Sequence, residues 1–195
     1  MEAVIQRSIE ESIATKQRLL TECGDAIAET AKLLIRTLQH EGMILLCGNG
    51  GSAADAQHIA TELVVRYRSS VERRALPALA LTTDTSLLTA ASNDYSFEEV
   101  FARQVQAFAN PLHCLVCIST SGRSENVRRA AEEAKVADMT IVGLLGGDGG
   151  TIAPLCDAAV IVPSTVTARI QESHILIGHI WCELIEEALF AQSAS

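Results

Sequence analysis

Residues 43–55 read MILLCGNGGSAAD. A short apolar run, Met43 to Cys47, meets three glycines within four positions, and small residues with one aspartate follow. The pattern predicts a buried strand that feeds a helix through a tight turn. Glycine lets backbone N–H groups approach a ligand closely, and the start of a helix adds its positive end, so Asn49, Gly50, Gly51 and Ser52 are expected to face an oxyanion. The turn is neither a P-loop, since it lacks the GKS/T ending, nor a GxGxxG dinucleotide fingerprint. A purely structural tight turn fits the same residues.

Downstream of Gly42, short apolar runs alternate with helical patterns. The runs are Met43 to Cys47, Ala78 to Leu81, Cys114 to Ile118, Thr140 to Leu145 and Ala159 to Val162; helices are predicted over Ser52 to Tyr67, Phe97 to Ala109 and Glu125 to Val136. The fold class that follows is α/β: a five-stranded parallel sheet flanked by helices on both faces. A long helix from Thr167 to Phe190 ends the pattern. Upstream, residues 1–40 carry apolar residues at helical spacing (Ile5, Ile9, Ile13, then Ile27, Leu34, Leu38), broken near Cys23-Gly24-Asp25, and predict a helical hairpin. We read one domain over 1–195, with a helical extension at 1–40 and a core at 42–190. The stretch from Ser69 to Pro77 is charged and loop-like, too short to separate domains.

A net charge of −9 disfavours attraction to nucleic acid, and no run of basic residues exceeds two. An anionic ligand must then be held by local N–H groups and hydroxyls. The amphipathic, acidic N-terminus is unlike a signal peptide, and no window approaches the roughly 18 to 20 apolar residues of a membrane span. A cytoplasmic location and no membrane partner are the default expectations. Cys47, Cys114, Cys117 and Cys156 lie in or beside apolar runs and are expected to be reduced and buried. Cys114 and Cys117 form a CxxC, but on a strand their side chains point to opposite faces.

A second turn, Ser119-Thr120-Ser121-Gly122-Arg123-Ser124, leaves the third strand and opens a helix. An N-cap needs one such residue; the four hydroxyls of Ser119, Thr120, Ser121 and Ser124 predict a phosphate cradle. Arg123 either adds charge there or is solvated. On the helix after the first turn, His58 and Glu62 are four residues apart and share a face, where they can hold a metal or pass a proton. The last helix offers Gln171, Glu172, His174 and His179, although His179, among Ile177, Ile180 and Trp181, also fits a satisfied core histidine.

Through GNGGSAADAQH, ALTTDTS, ASNDYSFEEVFARQ, ISTSGRSEN, GGDGG and TARIQESH, nearly the whole chain resembles the SIS (sugar isomerase) family. The resemblance implies the SIS fold and a homotetramer with active sites at subunit interfaces. It implies an aldose-ketose isomerase that converts D-sedoheptulose 7-phosphate to D-glycero-D-manno-heptose 7-phosphate for lipopolysaccharide. It further implies one zinc per subunit on His58, Glu62, Gln171 and His179, with Glu62 and His179 catalytic and with Asn93, Asp94 and Gln171 contacting substrate. If Gln171 and His179 share one ion, an unbroken helix is an obstacle, because eight residues rise about 12 Å. Either the helix starts after Gln171 or a neighbouring subunit supplies one ligand. Ala168 stands where some relatives carry Asp, and Ser92 and Ser96 replace small residues.

Two other readings compete. A noncatalytic SIS tetramer that binds the replication initiator is similar in the TARIQE and NDY regions but lacks the carboxylate at 62 and the histidine at 179, both present here. A sugar-phosphate-sensing SIS module predicts an attached second domain.

Overall fold

The computed structural model describes residues 1–190, so the last five positions of the expected domain lie outside the described residues. Each apolar run forms a strand: β1 (Ile44–Cys47), β2 (Ala78–Ala80), β3 (Cys114–Ser119), β4 (Thr140–Gly146) and β5 (Ala158–Val162). All pairs are parallel, in the order β2-β1-β3-β4-β5. A parallel sheet is covered on both faces and so favours continuous apolar runs; β1 and β3 are buried at every position.

The helices are α1 (Glu2–Glu22), α2 (Gly24–Gln39), α3 (Gly51–Val64), α4 (Thr85–Asp94), α5 (Ala102–Ala107), α6 (Glu125–Val136) and α7 (Thr167–Phe190). They form two layers. One core joins α1, α2, α3 and α7 to the sheet face carrying Leu46, Cys114, Val116 and Leu144. The other joins α5, α6 and Ala91 of α4 to the face carrying Leu45, Cys47, Leu115 and Cys117. Cys114 and Cys117 thus face opposite sides, as the period of a strand requires. Cys47, Cys114 and Cys117 are buried, whereas Cys156 is half-buried. Among the described residues no helix is long and apolar enough to cross a membrane.

The differences from the expected elements have local causes. Helix α4 is not among the expected elements, because only Ala91 on it is buried, which leaves no apolar stripe; what starts it is Asp84, whose carboxylate accepts the Leu87 N–H at 3.0 Å. The expected helix over Phe97 to Ala109 opens as a 3-10 turn at Phe97–Glu99 before α5, a common form of helix start. Helix α3 ends at Val64 rather than Tyr67. There the side chain of Arg73 takes over the carbonyls of Glu62 and Leu63 at 2.8 and 2.9 Å.

Two buried polar groups tie α7 to the core. The Trp181 indole N–H donates to Thr30 Oγ1 at 3.0 Å, so a large apolar ring is buried without losing its hydrogen bond. His174 is fully buried, and its Nε2 lies 3.0 Å from the Leu145 carbonyl, which makes Nε2 the protonated nitrogen. Burial pushes its pKa down to about 4, against the pull of that carbonyl.

The folded chain therefore keeps His174 neutral where the unfolded chain, with an ordinary histidine near 6.5, binds a proton. Stability from this group is complete above pH ~6.5 and is lost as pH falls toward ~4, by about 3 kcal/mol in all. Urea unfolding between pH 7 and pH 4 should show a fall that His174→Gln, which can still donate to Leu145, reduces by about that amount. Parallel pH profiles for the two proteins would remove His174 from the acid sensitivity.

Candidate active site

From β1 the chain crosses through α3 to β2 on one side, and from β2 it returns through α4 and α5 to β3 on the other. The carboxyl ends of β1 and β3 therefore flank a topological switch point, where α/β sheets open a crevice for ligands. This topology brings the glycine turn and the hydroxyl turn side by side. Asn49 and Asn126 join them by two hydrogen bonds between their side-chain amides: Asn49 Nδ2 donates to Asn126 Oδ1 at 2.8 Å, and Asn126 Nδ2 donates back to Asn49 Oδ1 at 2.9 Å.

In the hydroxyl turn, Ser119 is buried and its Oγ lies 3.0 Å from Ser124 Oγ. Ser124 occupies the N-cap of α6 without a side-chain capping bond, so its hydroxyl is not spent on the helix. Thr120 is half-buried, and Ser121 Oγ accepts the Arg123 N–H at 3.2 Å. Arg123 is exposed to solvent but is not a free charge. Its guanidinium makes two bonds to Asp148, at 2.6 and 2.7 Å, across to the GGDGG loop, and holds that carboxyl well below the usual range. In the glycine turn Ser52 is buried, and its N–H closes on the Asn49 carbonyl at 3.0 Å.

Helices α3 and α7 lie side by side and run in the same direction: Gly51 meets Gln171, Ile59 meets Gly178 and His58 meets His179. Gly178 is what allows the close approach, because a Cβ there would lie 2.6 Å from Ile59 Cδ1. One turn of α3 then faces one turn of α7, and three side chains converge. His58 Nε2 is 2.9 Å from His179 Nε2 and 3.4 Å from Glu62 Oε1, and one ligand atom from each residue lies within 4.8 Å of the others. Two imidazole nitrogens and a carboxylate oxygen aimed at one point are a donor set suited to a divalent metal.

Gln171 is not part of this group within the chain. Helix α7 begins at Thr167 and runs unbroken to Phe190, which rules out a helix start after Gln171. The Gln171 amide instead rests on Gly51, where a Cβ would come within 2.4 Å of it, and His179 lies about 12 Å further along the axis. Asn93 and Asp94 are exposed at the end of α4 and bond to each other at 2.8 Å; among the described residues neither bonds to the His58 group.

Several residues escaped the sequence reading. Asn126, quoted within the hydroxyl turn, carries the bond between the two turns. Asp55, one turn ahead of His58, is half-buried with Oδ2 unpartnered; burial pushes its pKa up to about 6 while His58 pulls the other way. Tyr67 places its ring 5.6 Å from the His179 ring. Glu186 accepts from Arg73 Nε at 2.8 Å and from the Tyr67 N–H at 3.0 Å. Only the pairing of Asn49 with Asn126 had a local signal, namely amides in two turns on adjacent strands.

Comparison with known proteins agrees with this fold. The SIS domain profile matches residues 9–146. A phosphoheptose isomerase of Leptospira biflexa is 50% identical over 189 residues, covering 97% of both chains. One from Nitratiruptor sp. is 54% identical over 184 residues, covering 94% of this chain and 97% of its own. The solved structure of phosphoheptose isomerase GmhA from Neisseria gonorrhoeae superposes with a TM-score of 0.89 at 43% identity, covering 95% of this chain and 98% of that one.

Gly178→Ala tests the helix spacing. Its gain in helix propensity, about 1 kcal/mol, offsets much of an overpacking cost of about 1–3 kcal/mol. The expected variant melts near the wild type yet binds a divalent metal about tenfold more weakly by calorimetry. Unaltered metal affinity would mean that the spacing of α3 and α7 does not set the cluster.

Proposed function

The chain belongs to the SIS family, among its phosphoheptose isomerases, and from that premise we propose that it converts D-sedoheptulose 7-phosphate to D-glycero-D-manno-heptose 7-phosphate. The observation that carries the reading is the convergence of Glu62 and His179 from helices whose first turns meet at Gly51 and Gln171, beside the crevice.

The reaction moves one hydrogen between C1 and C2 through an enediol, and it needs a carbon base, a proton carrier for the oxygens and a binding site for the phosphate. Glu62 takes a proton from C1 of the open-chain ketose while His179 gives one to O2. Glu62 then returns its proton to C2 as His179 recovers one from O1, which leaves the aldehyde at C1 and both side chains as they began. Ser119, Thr120, Ser121 and Ser124, with the N-terminal end of α6, hold the phosphate by neutral dipoles, in keeping with a chain of charge −9. Asn49, Gly50, Gly51 and Ser52 line the other side of the crevice, and Asn93, Asp94 and Gln171 complete the contacts to the sugar.

Zinc, one per subunit, suits the donor set of His58, Glu62 and His179. Bound there, it would polarise the carbonyl and hydroxyl oxygens of the substrate. Gln171 of the partner subunit would supply the remaining protein ligand, since α7 holds the chain's own Gln171 on Gly51. That requirement, with the apolar outer face of α1, supports a homotetramer with shared sites: Val4, Ile5, Ile9, Ile13 and Leu20 are each more than half exposed. The six free cysteines suit a reducing cytoplasm.

Purified protein given sedoheptulose 7-phosphate and zinc should form the aldose phosphate, and a chelator should stop it. Glu62→Gln and His179→Gln should each lower kcat by about 10²–10⁴-fold. Full turnover by either variant removes that residue from the chemistry, and no aldose product from the zinc-loaded wild type refutes the assignment.

A further inference from the structure

Behind the His58 cluster, on the side away from the crevice, lies a buried ion pair with no part in the reaction as described. Glu186 follows His179 by seven residues and therefore lies on the same face of α7. Its side chain is 1% exposed and that of Arg73 is 0% exposed. The carboxylate is fully satisfied: Oε1 accepts from Arg73 Nε at 2.8 Å and the Tyr67 N–H at 3.0 Å, and Oε2 accepts from Arg68 Nε at 3.1 Å and the Arg68 N–H at 3.3 Å. Burial alone would raise the pKa of this acid, but the bonds from Arg73, Tyr67 and Arg68 together hold it below the ordinary value.

The other end of Arg73 reaches the residue that carries the carbon proton. Nη2 donates to the Glu62 carbonyl at 2.8 Å and Nη1 to the Leu63 carbonyl at 2.9 Å, so one planar guanidinium closes the last turn of α3. Tyr67, held through its N–H by the same carboxylate, lays its ring against His179. Glu186 thus fixes the backbone of Glu62 through Arg73 and the imidazole of His179 through Tyr67. Buried ion pairs are weak stabilisers compared with apolar residues of similar volume, so net stability is a poor account of this one. Its geometry joins the two helix turns from which the reacting groups project.

We propose that Arg73 and Glu186 are positioning residues for Glu62 and His179, setting the spacing of the carboxylate and the imidazole from behind. The inference rests on the isomerase reading for what the spacing is for, but the spacing can be measured without turnover. Three variants probe it. Arg73→Lys keeps the charge and loses the planar fork that spans two carbonyls and a carboxylate. Glu186→Gln keeps the shape and removes the charge. Tyr67→Leu removes the ring over His179 and leaves the backbone N–H bond intact.

Zinc affinity, by competition with a chromophoric chelator, and kcat and KM on sedoheptulose 7-phosphate are measured at a temperature where melting curves show each variant folded. The expected result is zinc binding weaker by about tenfold or more and kcat lower by about tenfold, with KM within about threefold, because the phosphate turns are untouched. Wild-type zinc affinity in the folded variants, with only the melting temperature lowered, overturns the proposal and leaves a structural ion pair. Should the wild type bind zinc but not turn over the heptulose phosphate, the substrate assignment fails while zinc affinity still judges the positioning. If the two charge variants do not fold, Tyr67→Leu decides, with unchanged affinity counting against the proposal.

Discussion

Two parallel helices can bring their side chains to a common point only if their backbones come close, and between α3 and α7 the closeness comes from the missing side chain of Gly178, into whose place Ile59 packs. The contact fixes register as well as distance. With Ile59 opposite Gly178, the neighbouring residues His58 and His179 face each other, Glu62 falls one turn further on, and Gln171 is carried back to Gly51. The cluster is therefore a property of the helix interface, and the side chains that make it up inherit their geometry from apolar packing.

The crevice solves an electrostatic problem in an economical way. A chain with nine excess negative charges repels a phosphate at long range, and the one cation in the hydroxyl turn, Arg123, is already bound to Asp148. Attraction must come at short range, from hydroxyls and from the ends of α3 and α6, which carry partial positive charge wherever their first N–H groups point outward. Such dipoles act only on a ligand that has already entered, so they select for shape as well as charge. The paired hydrogen bonds between the amides of Asn49 and Asn126 keep the two sets of dipoles at a constant separation.

Sequence legibility followed the physics of each element. The strands were readable because burial on both faces leaves an unbroken apolar run, and His58 with Glu62 was readable because four residues complete a helical turn. Helix α4 was not, since a helix with one buried residue leaves no apolar stripe for periodicity to detect. Its one start signal is Asp84, three residues before Leu87, and a lone aspartate marks a turn as readily as a helix cap. The family resemblance brought Gln171 and His179 to one metal, whereas the rise of a continuous helix separates them within one chain. Arg73 sits in a charged stretch that reads as a solvated loop, and only the fold turns it inward beneath Phe190 and onto Glu186. Charge in a loop carries no information about which way it faces.

At the β2 margin the sheet ends in a strand of only three residues. So short a border gives an incoming chain little backbone to zip against, which disfavours continuous ribbon growth at that edge. On that side the helical surfaces offer what the strand does not, side chains that can discriminate between partners in a way that bare peptide groups cannot.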